Sequence, residues 1–188
     1  CIVPLLADLR ETHPDLKLEL ILSDENVDLV RDGVDLAIRL GPEVQGDVIC
    51  AKLCETSYRV CASPDYLRSA PPAHKPQDLR QHEALLFDLP AYRTRWQFRD
   101  GRGRASDVQV QGRIATTNAV ALRDTARAGL GVALLADWRV ADDLAQGRLI
   151  DVFPKHQVTA TRFDTAAWIV YPSRRFVPAR VRSMIDFL

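Results

Sequence analysis

The sequence predicts an α/β fold made of two small lobes, and three observations lead to this prediction. Predicted strands alternate with predicted helices, which favours parallel sheets flanked by helices. Two predicted strands are each followed by a proline, at Ser63-Pro64 and Tyr171-Pro172, where proline holds the preceding residue extended. Residues 26–41, NVDLVRDGVDLAIRLG, place a helix, a glycine and a short strand in succession, a geometry typical of α/β proteins that bind ligands.

The two strand–proline junctions predict where the chain crosses between the lobes. One lobe would contain residues 1–62 and 172–188, and the other would contain residues 63–171. Two crossings form a hinge, and the cleft between two hinged lobes is the natural place for a ligand.

Composition limits the classes of function. A chain of 188 residues with 47% apolar residues can bury a substantial core, and no apolar run is long enough to cross a bilayer, so we expect a soluble protein. The 25 basic and 25 acidic residues give a net charge of zero. This balance argues against nucleic-acid binding by this chain alone, because such binding relies on surplus Lys and Arg. We interpret the arginines between residues 99 and 113 as a solvated hairpin.

The first third of the chain is predicted to begin with a helix. Pro4 suits its first turn, and it runs to about Thr12 with Leu5, Leu6 and Leu9 inward. Residues 17–22 alternate and predict a strand. In the motif, Val27, Val30 and Val34 recur at helical spacing, and Gly33 suits the left-handed end of that helix. Further strands are predicted at 36–40, 48–53 and 58–62, with a short helix at 65–68 and a loop at 69–76.

The remainder of the chain predicts a hairpin and a series of strands and helices. Strands are predicted at 83–89, 95–99, 107–111, 114–116, 132–136, 149–152 and 165–171. The wholly apolar run 132–136 indicates a strand covered on both faces. Helices are predicted at 118–128, ended by Gly129, and after Asp137, which can cap the helix that Gly147 ends. The last helix begins at Pro178, with Val177, Val181, Ile185 and Leu188 on one stripe.

No catalytic motif or metal site stands out. There is no GxSxG, P-loop, GxGxxG or HExxH sequence, and the four histidines are interpreted as surface residues. Cys50 and Cys54 would share one face of a strand, but zinc needs two further ligands. We therefore predict no enzyme, no cofactor and no metal, and structural thiols in a reducing cytosol.

Four segments resemble one protein family in order and spacing. They are DLVRDGVDLAIRLG, YRVCASPDYL, NAVALRDTARAGLGVALLADWRVADDLAQGRL and VYPSRRFVPARVRSMIDFL. The chain resembles the C-terminal effector-binding domain of the LysR-type transcriptional regulators. The resemblance implies a two-lobed periplasmic-binding-protein-like (type II) fold, with two small sheets flanked by helices and a small-molecule effector, such as an organic anion, in the cleft between lobes.

The resemblance also implies parts that this sequence lacks. An N-terminal winged helix-turn-helix and linker helix would bind DNA for the whole cytoplasmic protein. The family's first strand and the loop after it are expected before Cys1, which looks like a cut in a longer protein. The alternative is a free-standing solute-binding protein of a transporter, with no membrane-spanning part of its own. Residues upstream of Cys1 discriminate the two, because a helix-turn-helix supports the regulator and a signal peptide supports the transporter protein.

Candidate ligand-binding residues in the first lobe follow from position and from the resemblance. Ser23 and Asp24 end a strand where the family places effector contacts, or else cap the helix of residues 26–32. Arg39 ends a strand near the expected cleft, where its guanidinium suits a carboxylate. The alternative for Arg39 is a salt bridge to Asp35 or Asp24.

Three further candidates belong to the second lobe. Thr117 and Asn118 open a helix, whose first N–H groups attract anions, although capping alone explains both residues. Ser63 faces the cleft or only shapes the turn. Phe163 and Trp168 are interpreted as core rather than as a platform for a ligand.

The resemblance also implies self-association. The family pairs two such domains antiparallel, so residues 3–12 and 17–22 of one copy would meet the helix of residues 118–128 in the other. We therefore expect a homodimer through this domain, and a tetramer in the full-length protein.

Overall fold

The structure is a computed structural model that describes residues 2–23, 27–41, 46–89, 92–173 and 177–188. The chain forms two compact units. Unit 1 comprises Cys1–Glu55 and Thr165–Leu188, and unit 2 comprises Thr56–Asp164. The boundaries between the units, after residues 55 and 164, thus lie earlier in the chain than the predicted boundaries after residues 62 and 171.

Helices and strands alternate along the described residues. The helices are α1 (Leu6–Thr12), α2 (Pro64–Ser69), α3 (Ala119–Arg127), α4 (Asp137–Ala145) and α5 (Ala179–Phe187), with 3₁₀ helices at Val3–Leu5 and Pro76–Gln81. The strands are β1 (Ala37–Gly41), β2 (Val48–Glu55), β3 (Tyr58–Ala62), β4 (Ala84–Phe87), β5 (Arg95–Asp100), β6 (Ala105–Gln109), β7 (Ile114–Thr116), β8 (Val132–Ala136), β9 (Ile150–Asp151), β10 (His156–Thr159) and β11 (Ala166–Pro172). In these described residues, no helix combines the length and apolar character needed to cross a bilayer.

Unit 1 contains an antiparallel sheet in the order β1-β11-β2. The central strand β11 pairs Trp168 with Arg39 of β1 and Val170 with Cys50 of β2. It therefore belongs to unit 1, which moves the second boundary to before residue 165. The prediction of parallel sheets is wrong here, because β1 and β2 are not neighbours and each pairs in the antiparallel direction with β11.

The core of unit 1 is small. Leu9 is the buried residue of α1, whereas Leu5, also predicted to point inward, is 40% exposed. Val181 on α5 is buried as its apolar stripe predicts, together with Met184. Among the described residues of unit 1, the other buried apolar side chains are Leu29, Ala166, Ala167, Ile169 and Val170.

Two elements predicted in unit 1 are wrong. Residues 17–22, all described, form no strand, and Leu22 is 86% exposed. An alternating pattern predicts a half-buried strand only where a partner strand is present. Of the predicted helix at 26–32, residues 27–32 are described and form no helix; a turn begins at residue 29, with Leu29 buried and Val30 exposed. Gly33 nevertheless has a φ of +68°, as predicted.

Unit 2 contains a mixed sheet in the order β6-β5-β10-β3-β8-β4-β7, with β9 paired to β3. The parallel pairs among the described strands are those of β4 with β7 and of β4 with β8. The strand β3 pairs with β8, β9 and β10, so it belongs to unit 2 and moves the first boundary to before residue 56. The strand β10 has no counterpart among the strands predicted from the sequence.

Both faces of β8 are buried. Val132 and Leu134 of β8 belong to one apolar cluster, and Ala133 and Leu135 belong to a second one. Since successive side chains of a strand point to opposite faces, the fully apolar sequence of β8 reflects cover on both sides, as predicted. Tyr58 and Val60 of β3 join the first cluster, which also holds Trp96 and Phe98.

Candidate functional site

The strands of unit 2 bring Thr117 and Asn118 to a defined edge of the sheet. The parallel strands β7, β4 and β8 end at Thr116, Phe87 and Ala136, and Thr116 pairs with Phe87. We call this the carboxyl edge, defined by these three residues and by Tyr58, which pairs with Ala136. Ligands of open α/β sheets bind outside such an edge.

Asn118 caps α3 at the carboxyl edge. Its side-chain oxygen accepts hydrogen bonds from the amides of Val120, at 3.0 Å, and Ala121, at 2.9 Å. The hydroxyl of Thr116 accepts the amide of Asn118 at 3.1 Å. Thr117 and Asn118 are both exposed. The capping interpretation therefore holds for Asn118, and the cap already satisfies two N–H groups that an anion would use.

The carboxyl edge also holds polar residues that are not among the candidates predicted from the sequence. The Ser57 hydroxyl donates to the Asp137 carboxylate, which also accepts the Trp138 amide at 2.6 Å. Asp137 is thus the first residue of α4, and Ala136 rather than Asp137 is the N-cap. Nearby, burial raises the pKa of Tyr58, whose hydroxyl accepts a hydrogen bond from Tyr92. In the sequence, the signal for Ser57, Tyr58 and Asp137 is that each lies at or next to the end of a predicted strand.

Ser63 lies at the other edge of the same sheet. It follows the last residue of β3, whose first residue pairs at the carboxyl edge. Its hydroxyl accepts the Tyr66 amide at 3.2 Å and caps α2, and the residue is buried. The strands therefore separate Ser63 from Thr117 and Asn118, so the three candidates do not form one site within unit 2.

The candidates of unit 1 are Ser23, Asp24 and Arg39. Ser23 is exposed, and Asp24 lies outside the described residues. The guanidinium of Arg39 donates to the carbonyl oxygen of Val27. The alternative of an ion pair with Asp35 is wrong, because the Asp35 carboxylate binds Arg180 at 3.2 Å.

The two aromatic residues interpreted as core are only partly so. Trp168 is half-buried, and its indole N–H donates to the carbonyl of Gly41 at 3.0 Å. Phe163 lies 4.0 Å from the guanidinium carbon of Arg99, measured to its ring centre. Both therefore have structural partners within their own unit.

A buried carboxylate surrounded by arginines was missed entirely. The Asp143 side chain is 3% exposed and forms ion pairs with Arg123, Arg127 and Arg148. These four residues are called the arginine cluster below. An acid in the middle of a charged helix is typical of a solvated face, so the sequence carried no signal of this burial.

The histidine and cysteine predictions differ in outcome. His82 is buried, not on the surface as predicted, and its Nδ1 atom lies 3.2 Å from the Tyr66 hydroxyl. Burial lowers the pKa of His82. Cys61 is a free buried thiol whose pKa burial raises to about 12. In the described part of the chain, no group of His, Cys, Asp or Glu side chains is arranged to hold a metal ion.

The comparisons with known proteins agree on one family. The sequence family described as LysR substrate binding domain matches residues 1–188. The chain is 32% identical over 175 residues to the HTH-type transcriptional regulator PtxR of Pseudomonas aeruginosa, covering 93% of this chain and 54% of that protein. It is 33% identical over 192 residues to the HTH-type transcriptional regulator DmlR of Escherichia coli K12, covering 59% of that protein. The chain thus spans somewhat more than half the length of these relatives.

Solved structures of regulators share the fold. The full-length structure of the Vibrio cholerae virulence activator AphB matches 99% of this chain, with a TM-score of 0.82 and 27% identity, and the match covers 62% of that protein. The regulatory domain of CrgA from Neisseria meningitidis, a LysR-type transcriptional regulator, matches with a TM-score of 0.82 and 28% identity, covering 89% of that domain. These matches confirm the predicted α/β fold class.

Proposed function

Because this chain belongs to the family of LysR substrate binding domains, we propose that it is the effector-sensing and oligomerisation domain of a DNA-binding transcriptional regulator. The names of its relatives, which are transcriptional regulators and not enzymes, support this proposal. They favour it over a free-standing solute-binding protein of a transporter. A cytoplasmic location and the absence of catalysis belong to the same proposal.

The effector is proposed to be a small organic molecule, such as an organic anion. The cleft between lobes that the resemblance implies remains a prediction. The observation that carries this proposal is the position of Thr117 and Asn118 at the carboxyl edge, before the nine-residue helix α3. Since Asn118 already satisfies the amides of Val120 and Ala121, we expect a carboxylate to be bound by the Thr117 hydroxyl and the Asn118 side-chain N–H groups. Ser23, Asp24 and Arg39 remain proposed ligands from unit 1.

A thermal-shift screen of small organic acids tests the proposal. Isothermal titration then measures the affinity of a stabilising acid for the wild type and for Thr117→Val. We expect the variant to bind roughly tenfold more weakly, because one hydrogen bond to a charged group is lost. Thr125→Val is the matched control, since that hydroxyl binds the Ala121 carbonyl within α3.

Two outcomes would count against this site. If no acid in the screen binds, the proposal of an organic anion is wrong. If an acid binds equally well to the wild type and to Thr117→Val, the site lies elsewhere in the chain.

Self-association is proposed through the apolar surface of residues 17–22. Leu20 and Ile21 on this segment are 42% and 59% exposed, and large exposed apolar patches mark interaction sites. The occupant is a second copy of the chain, whose helix α3 presents the exposed Val120. In the whole protein, pairs of dimers would form the proposed tetramer.

Light scattering at tens of micromolar protein tests this proposal. We expect a dimer for the wild type and a monomer for Ile21→Lys. Ile150→Lys is the matched control, because Ile150 is also exposed but lies on β9. A monomeric wild type, or a dimer that Ile21→Lys leaves intact, would contradict the proposed surface.

DNA is proposed to bind only through a part of the protein that precedes this domain. The chain has as many acidic as basic residues, and DNA affinity needs surplus positive charge against the phosphates. A gel shift with residues 1–188 at moderate salt is expected to show no sequence-specific complex. Specific binding at nanomolar concentration would contradict this expectation.

A further inference from the structure

The arginine cluster in unit 2 holds three guanidinium groups, but its buried carboxylate accepts a side-chain hydrogen bond from only one of them. Asp143 is 2.5 Å from Nε of Arg148, 3.5 Å from Nε of Arg127 and 3.7 Å from Nε of Arg123. Only the contact with Arg148 is a hydrogen bond. Burial of the Asp143 carboxylate would be costly without cationic partners. The three arginine side chains are therefore held close to Asp143.

Arg127 retains its capacity to donate hydrogen bonds. It approaches Asp143 and Asp124 only at ion-pair distances, 3.5 and 3.6 Å. Arg123 instead donates two hydrogen bonds to Asp124, at 2.8 and 3.0 Å. A guanidinium has five N–H donors. Among the described residues, those of Arg127 form no hydrogen bond with a side chain, and Arg148 uses its Nε on Asp143.

These two arginines line a pocket. Its volume is about 570 Å³, and it is bounded by Ser63, Pro64, Asp65, Asp124, Arg127, Ala128 and Arg148. Ser63 is buried, and its oxygen accepts the Tyr66 amide, so its hydroxyl hydrogen remains to donate. The pocket thus presents two guanidinium groups and one hydroxyl.

The acidic side chains that line the pocket are already paired with arginines, which reduces their repulsion of an anion. Asp124 is bound to Arg123, and Asp65 is bound to Arg68 outside the pocket. The C-terminal end of α3 contributes a partial negative charge of about one half. The two aspartates that line the pocket are thus each paired with an arginine that does not line it, so Arg127 and Arg148 remain to bind an added anion.

We propose that the pocket between Arg127 and Arg148 binds a small oxyanion, through carboxylate or phosphate oxygens. The two guanidinium groups clasp the anion from two sides, and the Ser63 hydroxyl donates a third hydrogen bond. Such charge-assisted bonds are the strong ones, and guanidinium matches both kinds of oxyanion in geometry. The site lies at the edge of the sheet opposite the carboxyl edge, so it is independent of the proposed effector site.

Isothermal titration of the 188-residue chain tests the site, with inorganic phosphate in one arm and succinate in the other. Sodium chloride keeps the ionic strength constant in both arms. We expect saturable binding that depends on Arg127, and the probe that this site binds more tightly shows whether carboxylate or phosphate oxygens are preferred. Arg127→Gln should weaken binding roughly tenfold, because a charge-assisted hydrogen bond is lost. Arg127→Lys should lie in between, since lysine keeps the charge but not the planar fork.

Arg95→Gln is the matched control, because Arg95 is an exposed arginine of unit 2 paired with Asp107 and lies outside the pocket. It should leave the affinity unchanged. Circular dichroism verifies that each variant is folded, and Arg127→Lys serves if Arg127→Gln is not. The proposal fails if the wild type binds neither probe saturably at millimolar concentration, or if both Arg127 variants bind as the wild type does.

Discussion

Arg39 has a structural partner as well as a proposed ligand. Its guanidinium donates to the carbonyl of Val27 and so ties β1 to the turn that precedes Gly33. One bond does not exhaust five N–H donors, so an anion can still be bound by the same group. The two roles predict different consequences of substitution.

Arg39→Ala is expected to lower the free energy of unfolding by about 1 kcal/mol, since the Val27 carbonyl loses its partner. It should also weaken binding of an anionic effector by roughly 1.5–3 kcal/mol, and Arg39→Lys should restore only part of that affinity. Thermal melts and isothermal titration of the same variants separate the two effects. Lower stability with unchanged affinity would remove Arg39 from the proposed ligands.

His82 makes the stability of unit 2 depend on pH. Burial lowers its pKa, and the nearby Asp78 carboxylate opposes this only in part. The folded chain therefore binds fewer protons at His82 than the unfolded chain does. Stability from this residue is full above the unfolded pKa of about 6.5 and is lost as the pH falls towards the folded pKa.

We expect the free energy of unfolding to decrease between about pH 7 and pH 5.5, and His82→Gln to reduce that decrease. His74→Gln is the control, since His74 is exposed. Urea unfolding at several pH values measures both. Hydrogen bonds from backbone amides are the main cause of the lowered pKa values of Asp78 and Asp100. These two carboxylates change the free energy of unfolding only at more acidic pH. An identical pH dependence in the wild type and in His82→Gln would disprove this role.

Close approach of backbone segments limits what the elements around β4 can accept. A Cβ atom added at Gly131 would lie 2.4 Å from the Glu83 carbonyl oxygen, which accepts the Val132 amide at 2.9 Å. Neither backbone segment can withdraw without breaking the pairing of β4 with β8. The glycine before β8 is thus a requirement of sheet packing.

Gly131→Ala is expected to lower the free energy of unfolding by about 1–3 kcal/mol, the usual cost of overpacking. Gly101→Ala is the control, because an added Cβ there meets no atom within 4 Å. That substitution should be neutral or slightly stabilising. Chemical denaturation of both variants provides the comparison, and equal stabilities would refute the argument.

The sequence predicts best those elements whose residues carry their own signal. The apolar run of β8, the turn between β5 and β6 and the glycine at position 33 were all predicted correctly. The predictions failed where a distant partner decides the structure. Residues 17–22 alternate but have no described partner strand, and β10 forms because β3 and β5 lie on either side of it.

The same reason explains the outcome at the candidate site. Asn118 was found because a cap has a local signature, whereas the burial of Asp143 depends on arginines from α3 and from the segment before β9. Ser57 and Asp137 meet across a separation of 80 residues. The hydrophobic periodicity of the sequence does not predict contacts between such distant residues.

At the scale of the whole molecule, unit 2 is one continuous segment with its own core. All members of both apolar clusters described for its sheet lie within Thr56–Asp164. Unit 1, in contrast, is assembled from two segments, and β11 joins β1 to β2.

An excised fragment of residues 56–164 is therefore expected to fold alone and to unfold cooperatively in urea. A fragment of residues 1–55 is expected to remain unfolded, because both of its described strands, β1 and β2, pair with β11. Circular dichroism and denaturant titration of the two fragments measure this. A fragment 56–164 without a cooperative transition would show that its core needs unit 1.

Because β11 is the central strand of unit 1, the sheet of that unit can form only after the ribosome has synthesised β11. Gly41 of β1 and Trp168 of β11, which are hydrogen-bonded, are 127 residues apart. At about 5–20 residues per second, the ribosome releases β11 roughly 6–25 seconds after β1. By the end of that interval, β3 to β10 of unit 2 have been synthesised, whereas β1 and β2 still have open edges. Nascent chains of this protein are thus exposed to chaperones, or to wrong pairing with one another, chiefly through these two strands.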